Sequence, residues 1–341
     1  AAIAACIAPS VTNQYLILIM PGVYMENVNV VRFVNLRGAG KHGATINGFV
    51  IAADSCVVEG LKITQGVQCP GTSPTLISNI ITNNMPGMSN GIQIMAPGKP
   101  LVRDNEIVQC VGWGIFCQGF NADPWILGNK IMHNLSGGIY LDQCSPTISN
   151  NFIDHNKFFG IYMIGAIGFP TEPTISDNVI GHTDYTLGGR GIFMMGFAEP
   201  RIISNDIYLN ECGIWIDPNT QPSIIGNNIN YNFEAGIRCF SNGASKRVVI
   251  TGNHIHSNCH VGGFQPAGIW IQNCNPMVTL NNITQNSVPL GGGMPDIDYS
   301  TCFTSFPTIS TNIFDLIIRP MMPPFAMGIY NSTSMGLAIT P

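Results

Sequence analysis

Short apolar runs of about three to five residues recur along the chain, broken by Asn and Gly, and apolar and polar residues alternate within them. Alternation with a period of two places successive side chains on opposite faces of a β-strand. The middle of the chain shows no apolar repeat of 3.6 residues over three helical turns. The pattern therefore predicts many short β-strands and no long helix.

One phrase, P-x-Φ-x-x-N-x-Φ-x-x-N with Φ apolar, starts ten times at intervals of 22 to 31 residues. An Asn stands five residues after every start, and an Ile follows two residues later in nine copies. The starts are Pro74, Pro100, Pro124, Pro146, Pro173, Pro200, Pro222, Val248, Pro276 and Pro307. Repetition of this kind indicates a solenoid, in which each repeat buries its apolar side chains against its neighbours.

A second phrase, Gly-Ile-x-Φ, follows nine of the copies and is missing only from residues 287–306. Stacked repeats would place Asn above Asn and Ile above Ile at about 4.8 Å, forming a hydrogen-bonded ladder and a buried column. Asn also tolerates the left-handed conformation of a tight corner. We therefore predict an all-β fold, a single parallel β-helix (solenoid) of about a dozen coils.

The domain prediction follows from where the phrases begin and end. Residues 1–14 are interpreted as an N-terminal cap, and residues 15–330 as the parallel β-helix with an inserted loop at about 287–306. Residues 331–341 are expected to form a C-terminal cap or docking tail. Solenoids need such atypical ends, because a bare strand edge invites pairing with another chain.

Charge is unusually sparse. Charged residues make up 10% of the 341 residues, and the net charge is −5 without a basic run. Typical soluble domains contain about 25% charged residues. This balance makes nucleic acid an unexpected partner, and no apolar segment reaches the ~18 residues of a membrane span.

The eleven cysteines are an odd number and form no C-x-x-C pair. We expect most of them to be reduced and buried in place of aliphatic residues. Cys117 and Cys239 both fall at the inward Φ position of the second phrase, so both are expected to be unreactive thiols.

With its N-x-I-x-x-N…G-I repeats, the chain resembles the right-handed parallel β-helix proteins of the pectate-lyase-like superfamily. The likeness covers roughly residues 15–330 and includes the opening "LILIMPGVYMENV". It implies a right-handed coil, as in carbohydrate-binding and sugar-hydrolase repeat proteins. Some members are polysaccharide lyases or epimerases and others only bind or build, so activity must be argued from a site.

No catalytic constellation stands out in the sequence. "WIDPNT" at 215–220 is similar to the Asp-Pro-His signature of alginate epimerases, but Asn219 replaces its His. Asp104 and Glu106 are interpreted as part of a surface ion-pair patch. The remaining candidate carboxylates are Asp142, Asp217, Asp296 and Asp298, and catalytic residues stay unknown.

Histidines offer one pattern, because His133, His155 and His182 share one position in three successive repeats. A column of imidazoles suits copper or zinc. Packing at a turn is the favoured alternative, so no metal and no cofactor are predicted.

Aromatic residues give the clearest outward pattern. In Gly-Ile-x-Φ the residue x points away from the core, and x is aromatic in seven of nine copies. Stacking between coils would explain this pattern, and so would an exposed interaction surface. The predicted binding residues are Phe116, Tyr140, Tyr162, Phe193, Trp215 and Trp270.

These observations favour a non-enzymatic structural or binding β-helix that contacts a partner chain or a glycan through the aromatic face. Its predicted partners include copies of itself, and its predicted location is extracellular, at the cell surface or in a virion. The alternative is a polysaccharide-active lyase, hydrolase or epimerase. A carboxylate pair that converges with a basic residue in a groove would favour the enzyme.

Overall fold

A computed structural model describes residues 2–85, 90–240, 248–259, 267–272, 274–286, 297–298 and 308–314. The predicted C-terminal segment 331–341 and most of the predicted loop 287–306 lie outside these residues. The chain divides into two compact units, residues 1–157 and residues 158–341. The predicted domain boundaries stay predictions.

The first unit consists of short parallel strands in three sheets, numbered by their order along a coil. Sheet 1 contains Tyr15–Ile19, Val34–Gly38, Val57–Glu59, Thr75–Ile77, Leu101–Arg103, Trp125–Leu127 and Thr147–Ser149. Sheet 2 contains Gly22–Tyr24, Ala44–Ile46, Lys62–Ile63, Ile80–Ile81, Glu106–Val108, Lys130–Met132 and Phe152–Asp154. Sheet 3 contains Val28–Asn29, Val50–Ile51, Val67–Pro70, Ile92–Met95, Trp113–Gln118 and Gly137–Asp142.

The second unit repeats this arrangement. Its sheet 1 contains Thr174–Ser176, Arg201–Ile203, Ser223–Ile225, Val249–Thr251, Met277–Thr279 and Thr308–Ser310. Its sheet 2 contains Val179–Gly181, Asp206–Tyr208, Asn228–Asn230, His254–His256, Asn282–Thr284 and Ile313–Phe314. Its sheet 3 contains Phe159–Gly165, Arg190–Gly196, Cys212–Ile216, Ala235–Phe240, Ala267–Gln272 and Ile297–Asp298.

Helical structure is limited, among the described residues, to two single 3₁₀ turns, Ile3–Ala5 and Tyr185–Leu187. Within each unit, neighbouring strands of a sheet are parallel and lie three strands apart in the chain. The predicted parallel β-solenoid is therefore confirmed. The sequence prediction of about a dozen coils is close to the observed number.

The predicted isoleucine column is buried in both units. Ile107, Ile131 and Ile153 in the first unit have no exposed surface. The same holds in the second unit for Ile180, Ile207, Ile229, Ile255 and Ile283. The column forms because successive strands of sheet 2 are in register, as the pairing of Ile207 with Ile229 shows.

The predicted asparagine ladder stands beside this column. In the first unit Asn105 Nδ2 donates to Asn129 Oδ1 at 3.1 Å and to the Leu76 carbonyl at 2.9 Å. In the second unit Asn205 Nδ2 donates to Asn227 Oδ1 at 3.0 Å, and the Asn205 backbone N–H donates to the same oxygen at 2.9 Å. Each amide thus pairs backbone groups at a corner that the sheets leave unpaired.

The corners have left-handed backbone. The residue before each ladder Asn has a positive φ, as at Asp104 (56°) and Ser204 (53°). A second corner five residues later has the same conformation, as at Leu209 (52°), and is followed by a second buried ladder that includes Asn210 and Asn232. Two such corners per repeat turn the chain from one sheet to the next.

One cysteine prediction is wrong. Cys239 forms a disulfide with Cys274, whose Cα lies 6.3 Å away, a distance that a disulfide spans readily. Among the described residues, buried cysteines outside this disulfide include Cys56, Cys69, Cys110, Cys117, Cys144 and Cys212. Burial raises the pKa of the Cys56 thiol to about 11 and that of Cys110 to about 12.

Truncating one residue of the isoleucine column should destabilise the protein strongly. We expect Ile207→Ala to lower the free energy of unfolding by about 2–5 kcal/mol, because it removes buried methyl groups and leaves a cavity. Ile167→Ala is the matched control, because Ile167 is 79% exposed. Urea unfolding measures both variants, and equal small effects would contradict the buried column.

Candidate binding face

The predicted aromatic residues lie on the outer side of sheet 3 in both units. In the first unit Phe116 pairs in register with Tyr140, and their rings stack with centroids 4.8 Å apart and planes 1° apart. Trp113 lies beside them, its ring 5.1 Å from that of Tyr140. The rings in this unit therefore stack face to face along the direction in which the coils repeat.

In the second unit the register runs from Tyr162 to Phe193 and on to Trp215. The Tyr162 and Phe193 centroids are 5.2 Å apart, and those of Phe193 and Trp215 are 6.2 Å apart. Phe159 lies edge-on to Tyr162 at 5.1 Å. These residues form a continuous aromatic row across three coils.

Two arginines extend this row. The Arg238 guanidinium carbon lies 3.7 Å from the Trp215 ring centroid and 4.0 Å from that of Trp270. The Arg190 guanidinium carbon lies 4.1 Å from the Trp215 centroid and 5.1 Å from that of Phe193. A cation over an aromatic face is attracted by the ring's quadrupole. The result is an alternating stack of rings and guanidinium groups, which we call the Arg–aromatic face.

The expectation of a continuously exposed stripe needs correction. Phe193 is 9% exposed and Trp270 is 3% exposed, whereas Phe116, Tyr140, Tyr162 and Trp215 are half-buried. The reason is that register-matched neighbours cover the faces of the rings. Solvent therefore meets ring edges and polar groups, and the flat ring surfaces are largely occupied.

Sequence reasoning missed two carboxylates beside this face. Glu211 and Glu234 each stand two residues before the Gly of a Gly-Ile phrase, so they occupy the same position in adjacent coils. The Glu234 backbone N–H donates to the Glu211 carbonyl at 2.7 Å. The recurrence of an acid at this position was the signal that could have identified the pair.

The two glutamates interact electrostatically with each other and with the arginines. Burial and the nearby Glu234 raise the pKa of the Glu211 carboxyl above its ordinary value, and Arg190 and Arg238 offset part of this effect. Burial also lowers the pKa of the Arg238 guanidinium. Arg238 Nη1 lies 3.9 Å from Glu234 Oε2.

Three nitrogen donors of the Arg–aromatic face are buried without a hydrogen-bond acceptor among the described residues. They are Arg190 Nε, Arg238 Nε and Trp270 Nε1. The Trp215 Nε1 group, by contrast, donates to Asp217 Oδ1 at 3.3 Å. Asp217, a predicted candidate carboxylate, thus lies at the edge of this face and orients Trp215.

The other predicted candidates lie elsewhere. Asp104 and Glu106 pair with Arg103 and Lys41 respectively, at 3.2 Å and 3.3 Å, which agrees with their interpretation as a surface ion-pair patch. Asp296 lies outside the described residues.

The predicted histidine column occupies the second left-handed corner, with φ of 55° at His133, 51° at His155 and 48° at His182. In the first unit His155 Nδ1 lies 2.5 Å from Asp154 Oδ2. The interpretation of these histidines as packing at a turn stays a prediction.

The raised pKa of Glu211 gives a test of this geometry. A folded-state pKa above the unfolded value, about 4.3, means that the folded chain binds more protons between the two values. The free energy of unfolding contributed by Glu211 therefore falls as the pH rises through that interval. We expect Glu211→Gln to be more stable relative to the wild type at pH 7 than at pH 4, as measured by urea unfolding. The exposed Glu26→Gln is the control, and equal shifts for both variants would contradict the buried position of Glu211.

A comparison with protein-family models identifies the fold. Residues 21–166 and 113–283 match the model described as the right handed beta helix region. None of the curated proteins compared with the chain matches it.

Solved structures share the fold at low identity. The periplasmic alginate epimerase AlgG matches with a TM-score of 0.64 and 14% identity, covering 87% of this chain and 79% of its own. The A-module of the Azotobacter vinelandii mannuronan C-5 epimerase AlgE4 matches with a TM-score of 0.62 and 15% identity, covering 94% and 93%. The Dettilon tailspike protein matches with a TM-score of 0.54 and 15% identity, covering 90% and 64%.

The family match, which extends from residue 21 to residue 283, covers more than half of the chain. It agrees with the three parallel sheets and the ladders of Asn and Ile. The resemblance inferred from the repeats is thereby confirmed, and the chain belongs to the right-handed β-helix family.

Proposed function

We propose that this protein binds a glycan along the Arg–aromatic face of the second unit. The observation that carries the proposal is the half-buried row of ring edges flanked by guanidinium and carboxyl groups in adjacent coils. Sugar hydroxyls both donate and accept hydrogen bonds, so they match a surface that offers both kinds of partner. Apolar ring edges suit the C–H groups of a sugar.

The charges favour a neutral glycan over an acidic one. Arg190 and Arg238 supply two positive charges, against the carboxyl groups of Glu211, Glu234 and Asp217. The two guanidinium groups therefore stand among carboxyl groups that offset their positive charge. A polyuronate would gain little attraction from such a face.

Names of structural neighbours support a carbohydrate-related function. AlgG is called an alginate epimerase, and a GH87 α-1,3-glucanase shares the fold with a TM-score of 0.58 and 13% identity. AlgG is also described as periplasmic, and another neighbour is a tailspike. We propose accordingly that this protein acts outside the cytoplasm or in a virion. No helix among the described residues is long and apolar enough to cross a membrane.

Removing the central ring should weaken glycan binding. We expect Trp215→Ala to lower the affinity for a neutral glucan oligosaccharide about tenfold, a loss of ~1.4 kcal/mol, because Trp215 anchors both arginines. Tyr162→Ala should act in the same direction. Trp125→Ala is the matched control, since Trp125 is 60% exposed on sheet 1. Calorimetric titration with neutral glucan and polyuronate oligosaccharides measures the effect.

Two results would contradict the proposal. One is the absence of binding to both classes of oligosaccharide, together with self-association in sedimentation that Trp215→Ala abolishes, which would identify the face as a protein interface. The other is an equal loss of affinity in Trp215→Ala and Trp125→Ala.

A polysaccharide-active enzyme is the second candidate, favoured by the Glu211–Glu234 pair. Adjacent coils lie about 4.8 Å apart, so two carboxyl groups at one register stand close enough to act on one substrate bond. One of the two carboxyl groups would act as the general acid, and the other would act as the opposing base or nucleophile.

The enzymatic candidate predicts turnover that depends on both glutamates. Reducing ends released from a neutral glucan should fall by about 10²–10⁴-fold in Glu211→Gln and in Glu234→Gln. Glu26→Gln should leave the rate unchanged. Binding without turnover in the wild type would exclude this candidate for the substrates tested and leave the binding function intact.

A further inference from the structure

A histidine pair lies on the outer side of sheet 2 in the second unit, on a different sheet from the Arg–aromatic face. His254 and His256 are alternate residues of one strand, and the intervening Ile255 is buried in the core. The two imidazole rings lie 4.0 Å apart between centroids, with planes 25° apart. His254 is exposed and His256 is half-buried, so solvent reaches the pair.

Neighbouring coils fix the proton on His256. The Asp206 carboxylate accepts from Asn228 Nδ2 at 2.9 Å, which leaves Asn228 Oδ1 as the group facing His256 Nε2 at 3.1 Å. An amide oxygen only accepts hydrogen bonds, so His256 Nε2 must carry the proton. Nδ1 then carries no proton, and its lone pair accepts a hydrogen bond from the Ser257 hydroxyl at 3.2 Å.

This chain of hydrogen bonds is the support that metal-binding imidazoles require. A ligating histidine donates its second ring N–H to a carboxylate or carbonyl, which sets its tautomer and raises its basicity. Asp206 is itself held by Asn230 Nδ2 at 3.0 Å. A neutral imidazole is the form that binds a metal ion.

An oxygen beside the pair lacks a partner. Asn282 is the register neighbour of His254 in the next coil. Its side-chain Oδ1 is buried and accepts no hydrogen bond from any described residue. A buried amide oxygen without a donor costs free energy unless a cation or another donor satisfies it.

From this arrangement we propose a binding site for a divalent transition metal, of the Cu²⁺ or Zn²⁺ class. His256 Nδ1 and the His254 imidazole are the ligands, and Asn282 Oδ1 is the adjacent oxygen donor. The Ser257 hydroxyl turns aside when the metal takes the Nδ1 lone pair. Imidazole nitrogen selects these ions over Mg²⁺ and Ca²⁺, which prefer oxygen ligands.

The test measures Zn²⁺ and Cu²⁺ binding by calorimetry on the full chain. The reference protein carries His155→Ala, which removes the imidazole of the Asp154–His155 pair as a competing ligand. Against this reference, His254→Ala and His256→Ala should each abolish one binding event. Asn228→Ala removes only the group that positions His256, and it should weaken that event by about 10–100-fold.

A spectroscopic readout separates ligation from a change in folding. Electron paramagnetic resonance of the Cu²⁺-loaded reference should show nitrogen coupling that disappears in His254→Ala and persists in the control His42→Ala. The thermal midpoint of metal-free His254→Ala should match that of the reference, because His254 is exposed. Equal metal stoichiometry and affinity in the reference and in both histidine variants would overturn the proposal.

Discussion

Buried asparagine amides are the interaction on which the rest of the structure depends. Each corner between sheets 1 and 2 leaves backbone groups that no strand pairs, and an Asn side chain both donates to and accepts from them. Asn105 shows the pattern, because its Nδ2 reaches the Leu76 carbonyl while its Oδ1 accepts the Asn79 backbone N–H at 3.0 Å. A leucine side chain has no polar group, and an ionised aspartate side chain has no hydrogen-bond donor. Neither could therefore both donate and accept hydrogen bonds at this corner.

The ladder also fixes register, and register decides what the outer faces present. Because the ladder residues within each unit bond from coil to coil, outward positions of successive coils are aligned. Aromatic residues at one position therefore stack, as Phe116 and Tyr140 do, and arginine at that position intercalates between rings, as Arg238 does. The stack leaves ring edges and charged groups as the surface that a ligand meets.

The outer faces of sheets 2 and 3 in the second unit show how one scaffold carries different chemistry. Sheet 3 of the second unit presents rings, arginines and glutamates, whereas sheet 2 presents imidazoles and amides. Along the strands of both faces, the outward residues alternate with inward residues that are aliphatic or small. The core thus leaves outward residues free to vary, so family membership alone does not determine activity.

The coil, its ladders of Asn and Ile and the alignment of the aromatic residues can all be predicted from the sequence, because these features depend on a repeat along the chain. Which side chains contact one another across the outer faces depends on the three-dimensional arrangement and cannot be predicted from the repeat. Glu211 and Glu234 interact with Arg190 and Arg238 because these long side chains extend beyond their own positions in the repeat. Cys239 likewise forms its disulfide with Cys274, which does not occupy the matching position in the repeat. Trp270 is buried for the same reason. The Arg238 guanidinium covers its ring, and the repeat phrase does not show which side chain will cover a given ring.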